Sequence, residues 1–156
     1  MSDSHDNREN IKTAVRLFNL LGCRLVIHAG DFVAPFAAGE LQQLSCPVKA
    51  VFGNCDGEIK GLEKTVNSFG KIQTPPFCFR YAEREFLITH TQFSLDAYIR
   101  SAKFDVIVYG HTHRPDIHRQ GKTLIINPGE TGGWVTGKAT VAALDPENLE
   151  VEIHQI

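Results

Sequence analysis

Apolar residues recur along the chain in two patterns, one with the period of a helix and one with the length of a short buried strand. Spacings of three and four between Ile11, Val15 and Phe18 predict an amphipathic helix over residues 7–21. Similar patterns predict further helices over 33–44, 58–69 and 92–102. Short apolar runs bounded by turn residues predict strands at 24–27, 48–52, 77–81, 85–89, 106–109, 123–126, 140–144 and 149–153. The order predicts an α/β fold of two packed sheets with helices on their outer faces.

Composition narrows the class of protein without identifying it. A chain of 156 residues with 42% hydrophobic and 22% charged residues is typical of one globular domain, so we expect a single domain over 1–156. No apolar run approaches the roughly 20 residues that span a bilayer, and the polar N-terminus lacks an apolar leader, so we expect no membrane association and a cytoplasmic location. The sequence leaves open whether the protein forms a homo-oligomer.

The balance of charge argues against a nucleic-acid partner. The formal net charge is -2, and the basic residues are scattered along the sequence. Binding to a nucleic-acid backbone requires several Lys or Arg side chains aligned on one face, so a nuclease with a basic groove is not expected. A small phosphorylated substrate is compatible with this composition, because bound metal ions can supply positive charge that the side chains do not.

Candidate metal ligands follow four of the predicted strands. Asp31, Asn54 and His111 each follow a glycine directly after an apolar run, and His90 follows the run 86–88. Ligands of α/β sheets bind at the carboxyl ends of strands, so parallel strands would bring these four side chains into one crevice. Two further pairs, Asp3 with His5 and His111 with His113, are spaced so that both members of each pair can face one site. Carboxylate, imidazole and amide ligands without thiolate suit Mn, Fe, Zn or Ni better than Ca or Mg.

This ordered set of motifs resembles the signature of the calcineurin-like metallophosphoesterases. The family pattern of D-x-H, G-D, G-N, a lone His and G-H-x-H is present over essentially the whole chain. The chain also resembles the small prokaryotic YfcE-like phosphodiesterases, which have counterparts of residues 53–56, of 110–113 with Pro115, and of Asn127-Pro128-Gly129. The resemblance implies a four-layer α/β/β/α sandwich of two mixed sheets flanked by helices.

The resemblance also implies a cofactor, a set of ligands and a reaction. Two divalent metal ions, with manganese favoured over Zn, Fe or Ni, would be held by Asp3, His5, Asp31 and His113 and by Asp31, Asn54, His90 and His111. Asp31 would bridge the two ions. Hydroxide between the ions would attack a small phosphate ester, with a phosphodiester favoured as substrate. The residues implied in catalysis are Asp31, Asn54, His90 and His111.

Two departures from the family pattern affect these expectations. Relatives have an apolar strand directly before D-x-H, whereas Asp3 is the third residue here, so either the start of the chain is misassigned or the first family strand is missing. If the chain begins at Met1, we expect Asp3 and His5 to be loosely held. In addition, Cys55 stands where larger relatives have a histidine that protonates the leaving group. We therefore expect either a preference for substrates with good leaving groups or proton donation by water.

Other interpretations of the same residues stay open at this point. Asp31 and Asn54 could cap helices that begin after their strands, and each histidine taken alone could have a structural role. His28 is expected in the core or behind the ligands, and Asp56 could orient the site or form a turn. The chain could also be an interaction scaffold, because one retromer subunit resembles this family and acts by binding partners.

Overall fold

Helices and strands alternate in the first half of the chain, and strands dominate the second half. The computed structural model describes residues 1–156. Its helices are α1 (Arg8–Leu20), α2 (Pro35–Ala38), a 3-10 helix (Gly39–Gln43), α3 (Ile59–Val66) and α4 (Leu95–Arg100). Its strands are β1 (Val26–His28), β2 (Val48–Val51), β3 (Gly70–Gln73), β4 (Phe77–Tyr81), β5 (Arg84–Ile88), β6 (Val106–Val108), β7 (Pro115–Gln120), β8 (Thr123–Pro128), β9 (Thr140–Asp145) and β10 (Glu150–Gln155).

The strands form two main sheets and a separate hairpin. The first sheet has the order β1-β2-β3 and is parallel throughout, whereas the second has the order β4-β5-β6-β8-β7 and is mixed. Within the second sheet, β5, β6 and β8 run parallel to one another. The antiparallel pair β9 and β10 forms a two-stranded sheet of its own. The carboxyl ends of β1 and β2 therefore share one sheet edge, as do those of β5 and β6.

Two hydrophobic clusters hold these layers together. The larger cluster of 17 buried residues packs α1, α2 and α3 against one face of the first sheet, through residues such as Ile11, Phe18 and Leu62. The smaller cluster of 9 residues lies between the two main sheets, where Val51 meets Phe86 and Ile126. Burial of this apolar surface is the main favourable term in folding. The predicted α/β architecture of two main sheets flanked by helices is confirmed.

Three elements of the structure differ from the sequence prediction. The helix expected over 33–44 is divided into α2 and a 3-10 helix, with only Pro35–Ala38 in α-helical conformation. Strand β3 was not predicted, because Ile72 is its only buried residue and the run lacks an apolar pattern. Strand β7 was also not predicted, because it is mostly exposed and polar and begins with proline. Proline is tolerated at the edge of a sheet, which is the position of β7.

The first residues of the chain lie against β1 and not in solvent. The first regular element of the chain is α1. However, the N–H of Ala29 donates to the carbonyl of Met1 at 3.1 Å, and the N–H of Asp3 donates to the carbonyl of Gly30 at 3.0 Å. Asp3 is fully buried. The expectation that Asp3 and His5 are loosely held is therefore wrong, because their backbone N–H groups donate to the carbonyls of Gly30 and Asp31, directly after β1.

A cavity of about 990 Å³ lies beside this N-terminal segment, between β1, β8 and the β9–β10 hairpin. Met1, Ile27, Ile126 and Leu144 contribute to its mainly hydrophobic lining. None of the helices is long and apolar enough to cross a membrane.

The structure predicts how the stability of the protein depends on the helix layer. Leu62 on α3 is fully buried in the larger cluster, so Leu62→Ala leaves a cavity and should lower the free energy of unfolding by about 2–5 kcal/mol. Leu20→Ala is the matched control, because Leu20 is 83% exposed. Urea denaturation measures both changes, and equal effects of the two substitutions would contradict the assigned packing of α3.

Candidate metal centre

The predicted ligands lie at the carboxyl ends of strands in both main sheets. Asp31 follows β1 and Asn54 follows β2, which are parallel neighbours in the first sheet. His90 follows β5 and His111 follows β6, which are parallel neighbours in the second sheet. The two sheets pack face to face, so these four side chains meet where their edges come together. The remaining predicted ligands, Asp3, His5 and His113, lie on the segments that flank this edge.

Half of the site is formed by Asp3, His5, Asp31 and His113. One ligand atom from each of Asp3, His5 and His113 lies within 4.8 Å of the others. The Nε2 atom of His5 is 3.5 Å from Oδ2 of Asp31, and Nε2 of His113 is 3.7 Å from Oδ1 of Asp3. The rings of His5 and His113 are stacked with centroids 5.1 Å apart. These four side chains thus converge on one point.

The other half is formed by Asp31, Asn54, His90 and His111. Oδ1 of Asn54 lies 2.8 Å from Nε2 of His90 and 2.9 Å from Nδ1 of His111. Nε2 of His90 is also 3.4 Å from Oδ2 of Asp31. The same carboxylate oxygen of Asp31 therefore faces His5 in one half and His90 in the other. The structure brings together all the residues that the sequence singled out.

Most of these residues adopt an unusual backbone conformation. The φ angles of Asp3, His5, Asp31, His111 and His113 are 50°, 40°, 59°, 68° and 61°, which lie in the left-handed region. Residues other than glycine rarely occupy this region, and each one that does costs about 1–3 kcal/mol of conformational free energy. Strained residues of this kind persist only where the surrounding structure fixes them, and they concentrate at functional sites.

Asp56 fixes the loops that carry Asp31 and Asn54. Its buried carboxylate accepts hydrogen bonds from the backbone N–H groups of Asp31 at 3.1 Å, Val33 at 2.7 Å and Gly53 at 2.7 Å. These bonds tie the chain after β1 to the chain after β2. The sequence left the role of Asp56 open between orienting the site and forming a turn, and the structure favours the first. The alternative that Asp31 and Asn54 cap helices is wrong, because Ala34 and Glu58 hold those positions.

The orientations of His90 and His28 are set by their surroundings. Nδ1 of His90 lies 2.8 Å from the carbonyl of Ala29, so its N–H donates there and Nε2 is left to face the site. His28 is buried and stacked on Phe32, and its Nδ1 accepts from the N–H of Gly30. His28 therefore lies behind the ligands, as predicted.

Glu130 is a residue of the site that the sequence reasoning missed. Its carboxylate is fully buried and lies 3.0 Å from Nδ1 of His113, which leaves Nε2 of that ring facing Asp3. Burial alone would raise the pKa of Glu130, but hydrogen bonds from His113 and Thr136 lower it to about 2. The signal available in the sequence was an acidic residue directly after Asn127-Pro128-Gly129, a segment noted above only for its counterparts in YfcE-like relatives.

The buried negative charges of the site are of the kind that bound cations would balance. Asp3 and Asp31 are buried carboxylates, and their ion-pair partners are histidines, with no Lys or Arg among them. Burial raises the pKa of Asp3. Burial would also raise the pKa of Asp31, but the neighbouring His90 imidazole and the hydrogen bond from the backbone N–H of Cys55 hold it well below its usual range. Nε2 of His5 is buried without a hydrogen-bond partner, which is costly unless it binds a ligand. Oxygen and imidazole donors in this arrangement suit divalent transition metals.

Comparison with known proteins identifies the family. The model of the calcineurin-like phosphoesterase superfamily domain matches residues 1–149. The chain belongs to this family. A phosphodiesterase from Methanocaldococcus jannaschii is 38% identical over 155 residues, with 96% of this chain and 93% of the relative covered. Phosphodiesterase YfcE from Escherichia coli is 28% identical, with 96% and 88% covered.

Solved structures of the calcineurin-like fold agree with this assignment. An archaeal phosphodiesterase superposes with a TM-score of 0.94 at 36% identity, with 100% of this chain and 97% of that chain covered. Vps29 from Chaetomium thermophilum superposes with a TM-score of 0.71 at 14% identity, with 100% and 94% covered, which shows the shared fold alone.

Gly53 is required by the close approach of Asp31. A Cβ atom at Gly53 would lie 2.1 Å from Oδ1 and 2.4 Å from the backbone nitrogen of Asp31. Gly53→Ala should therefore displace the Asp31 carboxylate and lower the free energy of unfolding by about 1–3 kcal/mol in urea denaturation. Gly57→Ala, in the same loop, is the matched control because nothing lies within 4 Å of its Cβ position. Equal stability of both variants would show that this loop can move away from Asp31.

Proposed function

We propose that the chain is a metal-dependent phosphodiesterase that hydrolyses a small phosphate ester with the aid of two divalent ions. The single observation that carries this proposal is the position of Asp31, whose Oδ2 lies 3.5 Å from Nε2 of His5 and 3.4 Å from Nε2 of His90. A carboxylate that bridges two metal ions must face two separate sets of metal-ligand atoms, as Asp31 does. The family and the phosphodiesterases among its relatives support the same reaction class.

In this proposal the two sets of donors hold one ion each. The first ion is assigned to Asp3, His5, Asp31 and His113, and the second to Asp31, Asn54, His90 and His111. Ions in such a pair withdraw charge from phosphoryl oxygens and lower the pKa of water, so that a nucleophile is available near neutral pH. Manganese is the proposed metal, with Zn, Fe and Ni as alternatives that the donor set also suits.

The side chains themselves contribute orientation and charge. Asp3 and Asp31 offset the charge of the ions, and the carbonyl of Ala29 keeps the Nδ1 proton of His90 directed away from the site. The backbone N–H of His111 donates to the carboxylate of Asp3 at 3.0 Å, which links the two halves of the site. Held in this way, the donors need little rearrangement when a charged ester binds.

Hydrolysis of bis(p-nitrophenyl) phosphate with added Mn tests the proposal. We expect metal-dependent release of p-nitrophenolate, with loss of about 100-fold or more in rate for Asp31→Asn and His111→Ala, because each removes a charged or coordinating group from the centre. His118→Ala is the control, since His118 is exposed on β7 and pairs only with Asp116. A wild-type protein that binds manganese without hydrolysing any ester would instead support the interaction scaffold.

The proposal also predicts how the rate depends on the leaving group. The backbone N–H of Cys55 donates to Oδ1 of Asp31 at 2.8 Å, so its exposed thiol lies beside the site. A thiol is a weak proton donor, so expulsion of a basic alkoxide is poorly assisted. Rates for a series of aryl and alkyl esters should fall steeply as the pKa of the leaving group rises.

Cys55→His should make this dependence shallower, because an imidazole can donate a proton near neutral pH. Cys78→His is the matched control, since Cys78 is an exposed cysteine on β4 that is not among the candidate ligands or the side chains clustered with them. A rate that does not change across the series would refute the idea that leaving-group protonation is weak.

A further inference from the structure

The segment Thr131–Lys138, here called the rim loop, borders the half of the site that contains His5 and His113. Its first residues pair with the N-terminal segment, since the N–H of Thr131 donates to the carbonyl of Ser2 at 2.8 Å and that of Gly132 donates to the carbonyl of Asp3 at 2.9 Å. The side chain of Asn7 donates to the carbonyl of Gly132 at 2.7 Å. The base of the rim loop is therefore bound to the backbone that carries the candidate ligands.

Glu130 holds the far side of the rim loop. Its carboxylate accepts hydrogen bonds from the backbone N–H of Val135 at 3.1 Å and from the hydroxyl of Thr136 at 2.6 Å, while it also contacts Nδ1 of His113. One buried carboxylate thus fixes both a candidate ligand and the loop beside it. A loop bound at both ends in this way is ordered before any substrate arrives.

This ordered loop presents the only tryptophan of the chain to solvent. Trp134 is 66% exposed, although its indole N–H donates to the carbonyl of His5 at 3.0 Å. The hydrogen bond fixes the edge of the ring against a candidate ligand and leaves much of its surface uncovered. A large apolar ring held in water at the edge of a catalytic site loses little conformational freedom when a flat group stacks on it.

We propose that Trp134 is a binding residue for substrate, and that it stacks on a flat aromatic group carried by the ester substituent that does not leave. This inference rests on the proposed phosphodiesterase activity, because a diester keeps one organic substituent beside the phosphorus while the other departs. The preferred substrate class is then a phosphodiester with an aryl or nucleobase group, in preference to one with only alkyl groups.

A pair of substrates with the same leaving group tests the role of Trp134. Bis(p-nitrophenyl) phosphate and methyl p-nitrophenyl phosphate both release p-nitrophenolate, so they differ only in the group that remains. For Trp134→Ala we expect KM to rise about 3- to 10-fold for the bis-aryl ester, with kcat nearly unchanged, and to stay constant for the methyl ester. The p-nitrophenyl ester of thymidine monophosphate forms a third arm, and a larger change there would assign the site to nucleobases.

Two variants separate stacking from a structural role. Trp134→Phe loses the hydrogen bond to His5 but keeps an aromatic ring. Because stacking needs only the ring, this variant should retain most of the preference for the bis-aryl ester. Leu20→Ala, on the exposed end of α1, is the control for loss of a surface apolar side chain. Manganese affinity measured by calorimetry should be the same in wild type and Trp134→Ala. A loss of metal affinity, or a phenylalanine variant that behaves like alanine, would overturn the proposal.

Fluorescence provides a readout that does not depend on turnover. Because Trp134 is the only tryptophan, diphenyl phosphate should change its emission in a saturable way, whereas dimethyl phosphate should not. If no ester is hydrolysed but diphenyl phosphate still binds, the proposed function fails and the stacking site stands. If esters are hydrolysed but Trp134→Ala affects the two p-nitrophenyl substrates equally, the stacking site fails and the proposed function stands.

Discussion

The burial of two carboxylates beside a group of imidazoles is the constraint on which the rest of the site depends. Asp3 and Asp31 are 0% and 1% exposed, and their ion-pair partners are histidines. Buried carboxylates without a strong counter-charge are costly, so this part of the protein is stable only if other groups, or cations, offset that cost. Hydrogen bonds from backbone N–H groups supply part of the compensation, and divalent ions would supply the rest.

This constraint explains why so much of the surrounding structure is fixed. The ligands come from two sheets, from the N-terminal segment and from the turn after β6, so no single element can form the site. Asp56 joins the loops after β1 and β2, while Glu130 joins His113 to the rim loop. The left-handed backbone at Asp31 is strained, and the hydrogen bond from its N–H to Asp56 helps to hold it in place. The site is thus a property of the whole fold.

The sequence predicted the site best where an apolar strand pattern was followed directly by a candidate metal ligand. Glycine followed by Asp31, Asn54 or His111 after an apolar run located the strand ends, because buried strands and metal ligands both have strong sequence signals. Strands β3 and β7 were missed because their partners, and not their own residues, determine that they are strands.

The missed parts of the site have a similar physical explanation. Glu130 lies 17 residues from His113, and only the pairing of β7 with β8 brings the two together. The firm position of Asp3 also could not be predicted, since it depends on hydrogen bonds to residues beyond β1 that become available only after folding. A side chain that orients a ligand is recognised by its contact with that ligand. When the two residues are far apart in the sequence, no local sequence pattern reveals the contact.

Anomalous scattering from crystals grown with manganese tests the proposal that Asp31 is shared by two cations. We expect two anomalous peaks per chain on opposite sides of Asp31, one beside His5 and His113 and the other beside His90 and His111. A single peak, or none in a crystal with saturating manganese, would contradict it.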